Sequence, residues 1–135
     1  FVTAVHEPVA LCDAASGATS PTTHLSGLRV GLLSSIGDPE GFEATVQRLH
    51  ATVVWHRAFP DHYDYRQADW EALIGQARHG APDAILTTEK DWVRLQPAAQ
   101  HGGPCPVPLR IVQVRMTILH GEEELDDRLA RLYTR

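Results

Sequence analysis

The stretch Ala84-Ile85-Leu86-Thr87-Thr88-Glu89-Lys90-Asp91-Trp92-Val93-Arg94-Leu95 joins a short apolar run to a charged segment. Residues 84–86 predict a buried strand, and Thr88 is a suitable N-cap for a helix over residues 89–95. In open α/β folds, ligands bind where a strand ends and a helix begins. This stretch therefore predicts the class of fold and also the edge of the sheet that carries its chemistry.

The same pattern of strand and helix repeats along the chain. Apolar and β-branched runs predict three more strands, at residues 28–33, 52–55 and 109–118, the last of them a final or edge strand. Helices are predicted at residues 67–78 and 122–133, where apolar residues recur every three or four positions, and after the start signal Asp38-Pro39. Residues 96–108 contain four prolines and two glycines, which predicts a loop.

Alternation of strands and helices predicts a three-layer α/β/α sandwich with a mostly parallel, Rossmann-like sheet. Residues 1–24 are predicted to precede it as a linker arm, with a strand or hairpin arm in residues 1–11 and then a loop. The α/β/α domain is predicted over residues 25–135. Right-handed crossovers place the carboxyl ends of all parallel strands on one edge of the sheet. We therefore expect three polar segments to meet there, at residues 34–38, 59–64 and 87–91.

Composition restricts the classes of function. The 135 residues are 43% hydrophobic and 21% charged, which is typical of one soluble globular domain. The formal net charge is −5 with no run of Lys or Arg, which argues against nucleic acid or an anionic membrane surface as the main partner. Cys12 and Cys105 form no C-x-x-C pair and fit a reducing compartment. The chain starts at Phe1 and not at Met, and we expect it to be a fragment of a longer protein.

The segment Thr88 to Asp91 has two interpretations. A capping box explains Thr88 as N-cap and Asp91 as the third helical residue, with Glu89 favoured in the first turn. It does not explain Lys90, because a cation in the first turn opposes the helix dipole. A lysine in that position indicates a phosphate or carboxylate partner.

The pair Asp61-His62 is the second candidate. An imidazole exchanges protons near neutral pH, and a neighbouring carboxylate can orient it. The alternative is a polar turn after Pro60 in which Asp61 bonds to nearby backbone amides. Histidines at positions 50, 56 and 62 match no zinc-binding spacing, so no metal site is predicted from them.

The turn Ser35-Ile36-Gly37-Asp38 is the third candidate. Small residues before a helix N-terminus can receive an anion, although a tight structural turn explains them equally. Neither G-x-x-x-x-G-K-[ST] nor G-x-G-x-x-G is present in the chain. The sequence therefore lacks the phosphate-binding loop of a P-loop enzyme.

Taken in order, the three segments resemble the C-terminal part of the tetraacyldisaccharide 4′-kinase family, the lipid A kinases. Members of that family have three patterns in this order, to which the three segments are similar: G-I-G-x-P-x-x-F, F-x-D-H-[HY]-x-[YF] and T-E-K-D-x-V-[KR]-L. The third pattern matches in full at residues 88–95, and the second is close at residues 59–65. The first, at residues 35–42, departs at Ser35 and Asp38, where the family usually has Gly or Ala and often Asn.

The resemblance implies an enzyme that transfers the γ-phosphate of MgATP to the 4′-hydroxyl of a tetraacyldisaccharide 1-phosphate. It implies an N-terminal P-loop domain as partner, which supplies most ligands for ATP and Mg²⁺, and a location on the cytoplasmic face of the bacterial inner membrane. By that match His62, with Asp61, contributes to catalysis. Thr88, Glu89, Lys90 and Asp91 contact the nucleotide or the other domain, with the turn of Ser35, Gly37 and Asp38 nearby.

Two alternatives remain open from the sequence. The chain is a stand-alone α/β module that binds a nucleotide or a protein without chemistry, in keeping with the missing phosphate loop. Or Glu89, with Asp61 or Asp64, holds Mg²⁺ for phosphoryl transfer. If the kinase interpretation holds, we expect the 135 residues to be inactive alone.

Overall fold

The structure is a computed structural model that describes residues 2–80 and 82–120, with the side chains of residues 7–79 and 82–115. In this part of the chain, six strands form one sheet in the order β2-β1-β6-β5-β3-β4. The strands are β1 (Val2–Asp13), β2 (Thr19–Ser20), β3 (Arg29–Ser34), β4 (Thr52–Ala58), β5 (Ala84–Thr88) and β6 (Leu109–His120). The helices are α1 (Pro39–Arg48), α2 (Gln67–Gly80) and α3 (Glu89–His101), and a short 3₁₀ helix spans Thr22–Leu25.

The four strands from β3 to β6 are parallel, and β1 and β2 add two antiparallel strands at one side. The parallel part arises because a helix connects each strand to the next and returns the chain to the start of the sheet. β1 pairs with β6 along its whole length, from Val2↔His120 to Asp13↔Arg110, with one register shift between Pro8 and Ala10. The predicted α/β fold and its leading strand are confirmed.

Two apolar cores cover the two faces of the sheet. Alternate side chains of β3 point to opposite faces: Leu32 packs with Phe42 and Val46 of α1, and Leu33 packs with α2 and α3. On the second face the cluster includes Trp70, Leu73, Ile74, Ala77, Leu95 and Ala98. A fully buried leucine stabilises the fold by roughly 1.5–3 kcal/mol. These cores account for the three layers of the sandwich.

Two predictions of secondary structure were wrong in part. The loop predicted from residue 96 begins later, because α3 continues to His101 with Pro97 inside it. Pro97 removes one helical hydrogen bond, but Leu95 and Ala98 stay on the buried face, and their packing outweighs that loss. β6 is not an edge strand, because β1 pairs with its free side.

The other boundaries differ less from the prediction. β4 continues three residues beyond the predicted 52–55, and residues 12–24 contain the end of β1, β2 and most of the 3₁₀ helix as well as turns. The helix predicted at 122–133 lies outside the described residues. The division into an arm at 1–24 and a domain at 25–135 stays a prediction.

Gly31 allows a close contact inside the sheet. A Cβ atom at this position would lie 2.3 Å from a ring carbon of Trp55, the neighbouring residue on β4. The register of the two strands also shifts between Val30 and Gly31. The indole of Trp55 therefore lies against the bare backbone of β3.

Candidate functional site

The segments that follow β3, β4 and β5 meet at one edge of the sheet, as the topology predicted. The backbone N–H of Phe59 donates to the carbonyl of Ser34 at 2.8 Å, and that of His62 donates to the carbonyl of Ser35 at 3.3 Å. Ser35 is bonded in turn to Asp91 of α3. Residues of all three predicted segments are thus connected by hydrogen bonds.

Asp91 is the centre of this connection. Its side chain is 1% exposed, and Oδ1 accepts from the backbone N–H and the hydroxyl of Ser35 at 2.9 and 2.5 Å and from the hydroxyl of Tyr65 at 3.1 Å. Oδ2 accepts from the hydroxyl of Thr88 at 2.7 Å. A buried carboxylate needs several donors in place of water. We call Ser35, Tyr65, Thr88 and Asp91 the Asp91 network.

The Tyr65 hydroxyl remains a donor in this network. Burial, chiefly, raises the pKa of Tyr65 well above its usual value, and the nearby Asp91 carboxylate raises it further. An ionised phenol beside the buried carboxylate would place two like charges together without water. The hydroxyl of Tyr65 therefore keeps its proton throughout the neutral range.

His62 lies in a turn with a left-handed backbone at φ 62°. Left-handed helical geometry costs a residue with a Cβ atom roughly 1–2 kcal/mol, which glycine would avoid. The imidazole is 75% exposed, with Nδ1 2.9 Å from Nη2 of Arg94 and Nε2 3.7 Å from a carboxylate oxygen of Asp61. The side chains of Asp61 and His62 therefore lie near each other, although the side chains of adjacent residues usually point apart.

Three aromatic rings support the turn that carries His62. The rings of Phe59 and Tyr63 are stacked at 4.5 Å, and the ring of Tyr65 meets both edge-on at 5.4 and 5.3 Å. Tyr63 donates its hydroxyl to Asp69 of α2 at 2.9 Å, a bond that raises the pKa of Tyr63. The turn is thus held by a packed cluster on both sides of His62.

The first turn of α3 divides the predicted residues into two groups. Thr88 is the N-cap and accepts from the backbone N–H of Asp91 at 3.1 Å, so its side chain and that of Asp91 are used inside the fold. Glu89 accepts from the backbone N–H of Val114 at 3.4 Å. Lys90 is exposed, and it lies one helical turn from Arg94, on the same face of the helix.

In the turn after β3, two of the three residues predicted to lie near the site make side-chain hydrogen bonds that stabilise the fold. Ser35 belongs to the Asp91 network, and Asp38 caps α1 by accepting from the backbone N–H of Gly41 at 3.0 Å. Gly37 is exposed, and a Cβ atom there would lie 3.6 Å from the carboxylate of Asp61, an ordinary contact. A binding role for these three residues stays a prediction.

A second polar cluster was missed by the sequence. The hydroxyl of Ser34 lies 2.7 Å from Nε2 of His56, whose Nδ1 lies 3.5 Å from a carboxylate oxygen of Glu43 on α1. Ser34 is fully buried, so its hydroxyl cannot be reached from solvent. We call Ser34, His56 and Glu43 the His56 cluster. This cluster was not found from the sequence because the predicted β4 ended at Trp55 and so left His56 outside the strand.

The described residues do not form a metal site. Within residues 2–80 and 82–120, no group of three or more His, Cys, Asp or Glu side chains could hold an ion. The oxygens of Asp91 already accept four hydrogen bonds. Glu89 faces a strand of the sheet while Asp61 faces His62. The arrangement suggested for Mg²⁺ around Glu89 and Asp61 or Asp64 has no support in this geometry.

The comparison with known families decides the identity of the fold. The family model described as tetraacyldisaccharide-1-P 4′-kinase matches residues 2–134. The chain belongs to this family. A tetraacyldisaccharide 4′-kinase of Anaeromyxobacter dehalogenans strain 2CP-C is 38% identical over 125 residues, covering 93% of this chain and 32% of the relative. The kinase of Methylorubrum extorquens strain PA1 is 46% identical over 66 residues, covering 48% of this chain and 20% of the relative.

A solved kinase has the same fold. The crystal structure of the "apo" form of LpxK from Aquifex aeolicus in complex with ATP matches 98% of this chain with a TM-score of 0.51 and 21% sequence identity. The match covers 36% of that chain. This chain spans about a third of the length of the Anaeromyxobacter kinases that align with 90% or more of it.

Proposed function

We propose that the chain is the C-terminal part of a tetraacyldisaccharide 4′-kinase. The complete enzyme would transfer the γ-phosphate of ATP to the 4′-hydroxyl of a tetraacyldisaccharide 1-phosphate, a step of lipid A biosynthesis. Membership of the family supports this class of reaction. The edge of the sheet that carries His62 and Lys90 is the face that would meet ATP and the rest of the enzyme.

The arrangement of cationic groups is the observation that carries the proposal. Lys90 and Arg94 lie one helical turn apart, and Arg94 bonds to His62. Two like charges at this spacing disfavour the helix by roughly 0.2–0.5 kcal/mol, and Lys90 also opposes the helix dipole. A phosphate group placed against them would offset both costs. This edge is therefore suited to an anionic substrate such as ATP.

The remaining parts of the reaction need another domain. The 135 residues contain no G-x-x-x-x-G-K-[ST] loop, and the described residues have no cluster suited to Mg²⁺. Phosphoryl transfer depends on positioning and on charge stabilisation, which closure of two domains can assemble. We infer that an N-terminal P-loop domain supplies the phosphate loop and the Mg²⁺ ligands, and that the chain alone is inactive.

The lipid substrate would bring the enzyme to a membrane surface. A tetraacylated disaccharide resides in a bilayer, and we infer that the enzyme acts at the cytoplasmic face of the bacterial inner membrane. Among the described residues, no helix combines the length and hydropathy needed to cross a bilayer.

A comparison of two proteins tests the proposal. The complete polypeptide encoded by the gene and the 135-residue chain are each incubated with ATP, Mg²⁺ and tetraacyldisaccharide 1-phosphate. We expect phosphorylated lipid from the complete polypeptide only. Phosphorylation by the 135 residues alone would contradict the inferred need for a second domain, and no product from the complete polypeptide would exclude the kinase proposal.

The role of His62 is tested by His62→Asn in the complete polypeptide. Asparagine accepts the left-handed backbone, so the fold should be kept while the imidazole is removed. Loss of a group that acts on proton or charge transfer should slow turnover by roughly 10²–10⁴-fold.

His50→Asn is the matched control for this variant. His50 also has a left-handed backbone, at φ 66°, but it follows α1 at the opposite edge of the sheet. Its replacement should leave turnover unchanged. Equal turnover in the two variants would remove His62 from the site.

A further inference from the structure

The two nitrogens of the His62 ring have different neighbours. Nδ1 lies 2.9 Å from Nη2 of Arg94, which is half-buried on α3. Nε2 faces the carboxylate of Asp61 at 3.7 Å, and both of these side chains are more than half exposed. Nδ1 is therefore within hydrogen-bond distance of a cationic group, whereas Nε2 lies beyond hydrogen-bond distance of its carboxylate neighbour, on the exposed side of the ring.

The contact with Arg94 fixes which nitrogen carries the proton. A guanidinium has five N–H donors and no acceptor, and it remains charged in proteins. At 2.9 Å its N–H can only donate, so Nδ1 of His62 must accept with its lone pair. A neutral imidazole carries one N–H. That N–H is therefore on Nε2, the nitrogen on the exposed side of the ring.

We propose that Arg94 is a positioning residue that holds His62 in the tautomer with the proton on Nε2. In this form the exposed nitrogen donates a hydrogen bond and cannot accept a proton from a substrate hydroxyl. The ring would then hold an anionic oxygen, from a phosphate of ATP or from a carboxylate elsewhere in the enzyme. The identity of that oxygen rests on the proposed function, but the tautomer does not.

The position of Arg94 supports a role through His62. Asp91, three residues earlier on α3, is locked by the Asp91 network, which fixes the helix relative to the turn of His62. The backbone N–H of His62 also bonds to Ser35 of that network. The helix that carries the guanidinium and the turn that carries the imidazole are therefore tied to the same buried carboxylate.

Nitrogen NMR measures the tautomer directly. The chain is labelled with ¹⁵N-histidine, and the ring of His62 is identified by the signals that His62→Asn removes. With the ring neutral, we expect a protonated Nε2 and an unprotonated, hydrogen-bonded Nδ1. In Arg94→Met the ring should exchange between both tautomers, and both nitrogen shifts should move towards averaged values. Arg94→Lys keeps a donor and should restore the wild-type pattern.

The control and the contrary results are defined by the same spectra. Arg78→Met removes an exposed arginine of α2 and should leave the His62 signals unchanged. A proton on Nδ1 in the wild type, or an unchanged His62 pattern in Arg94→Met, would overturn the proposal. Neither result depends on kinase activity, so a failure of the tautomer is distinguishable from a failure of the proposed function.

Kinetics of the complete polypeptide test whether the tautomer matters for turnover. Arg94→Met should lower turnover roughly 10–100-fold, as loss of a group that orients another does elsewhere, with Arg94→Lys close to wild type. Arg94 also belongs to the cationic edge proposed for ATP, so a rise in KM for ATP would indicate a phosphate as the partner of Nε2 only if His62→Asn, which keeps Arg94, shows the same rise. A fall in kcat alone would indicate a carboxylate. Unchanged kcat and KM in Arg94→Met would overturn the positioning role.

Discussion

Ser34 and Ser35 are neighbours at the end of β3, but they bond to opposite sides of the sheet. Ser35 donates to the buried carboxylate of Asp91, on the face covered by α2 and α3. Ser34 bonds to the imidazole of His56, on the face covered by α1. Both serines are buried, but the partner of Ser35 is a carboxylate and the partner of Ser34 is an imidazole.

The different partners of the two serines indicate which of the two polar clusters holds the segments of the site together. The Asp91 network connects the ends of β3 and β5 with the segment that follows β4, and it fixes the turn of His62 through Ser35. The His56 cluster connects only β3, β4 and α1 and ends at a partly exposed glutamate, Glu43. The Asp91 network should therefore contribute more to stability.

The largest expected effect is that of Asp91→Ala. Four donors would lose their acceptor in a buried place, and each unsatisfied group costs roughly 1–3 kcal/mol. We expect the free energy of unfolding to fall by roughly 3–5 kcal/mol in urea titrations. Asp91→Asn keeps one acceptor oxygen and is the control, with an expected loss of about 1–2 kcal/mol. A loss below about 1 kcal/mol in Asp91→Ala would reverse the ranking of the two clusters.

A matched pair of variants sharpens the comparison. Ser35→Ala removes a hydrogen bond to a charged group and should cost about 1.5–3 kcal/mol, whereas Ser34→Ala removes one to an imidazole and should cost about 0.5–1.5 kcal/mol. The two changes delete the same atom from adjacent buried residues, so differences in packing are small. Urea titrations of both variants measure the difference. Equal losses would show that the charge on Asp91 adds nothing.

The effect that is smallest at neutral pH is a dependence of the stability on alkaline pH. The raised pKa of Tyr65 means that the unfolded chain, with an ordinary value near 10, loses this proton first as the pH rises. The stabilisation is complete below about pH 10 and declines above it, by up to about 1.4 kcal/mol per pH unit. Tyr65→Phe should show a shallower decline in urea titrations between neutral and alkaline pH. Parallel curves would mean that Tyr65 ionises equally in both states.

The sequence predicted the elements that depend on local patterns. The Asp38-Pro39 helix start, the apolar spacing of α2 and the N-cap at Thr88 all lie where the pattern placed them, and β5 begins at Ala84 as predicted but continues two residues beyond Leu86. Parallel topology then brought His62 and the first turn of α3 to one edge of the sheet. These predictions succeeded because capping and periodicity act over a few residues, and because the handedness of crossovers leaves little choice.

The contacts between elements could not be predicted. The spacing of Asp91 from Thr88 suggested a reciprocal cap, but its carboxylate reaches Ser35, 56 residues earlier in the chain. Arg94 was part of the matched motif without being proposed for the site, because its bond to His62 joins elements 32 residues apart. Pro97 predicted a break that packing overrides. Each of these depends on tertiary structure that no local pattern contains.

The contact between Gly31 and Trp55 has a consequence for how this protein can vary. Any larger residue at position 31 would collide with the indole, and a smaller ring at position 55 alone would leave an empty space over β3. The two positions should therefore change together or not at all. Gly31→Ala should lower the free energy of unfolding far less when it is combined with Trp55→Leu than when it is made alone. A single substitution at either position is therefore disfavoured, and only a paired change keeps the packing.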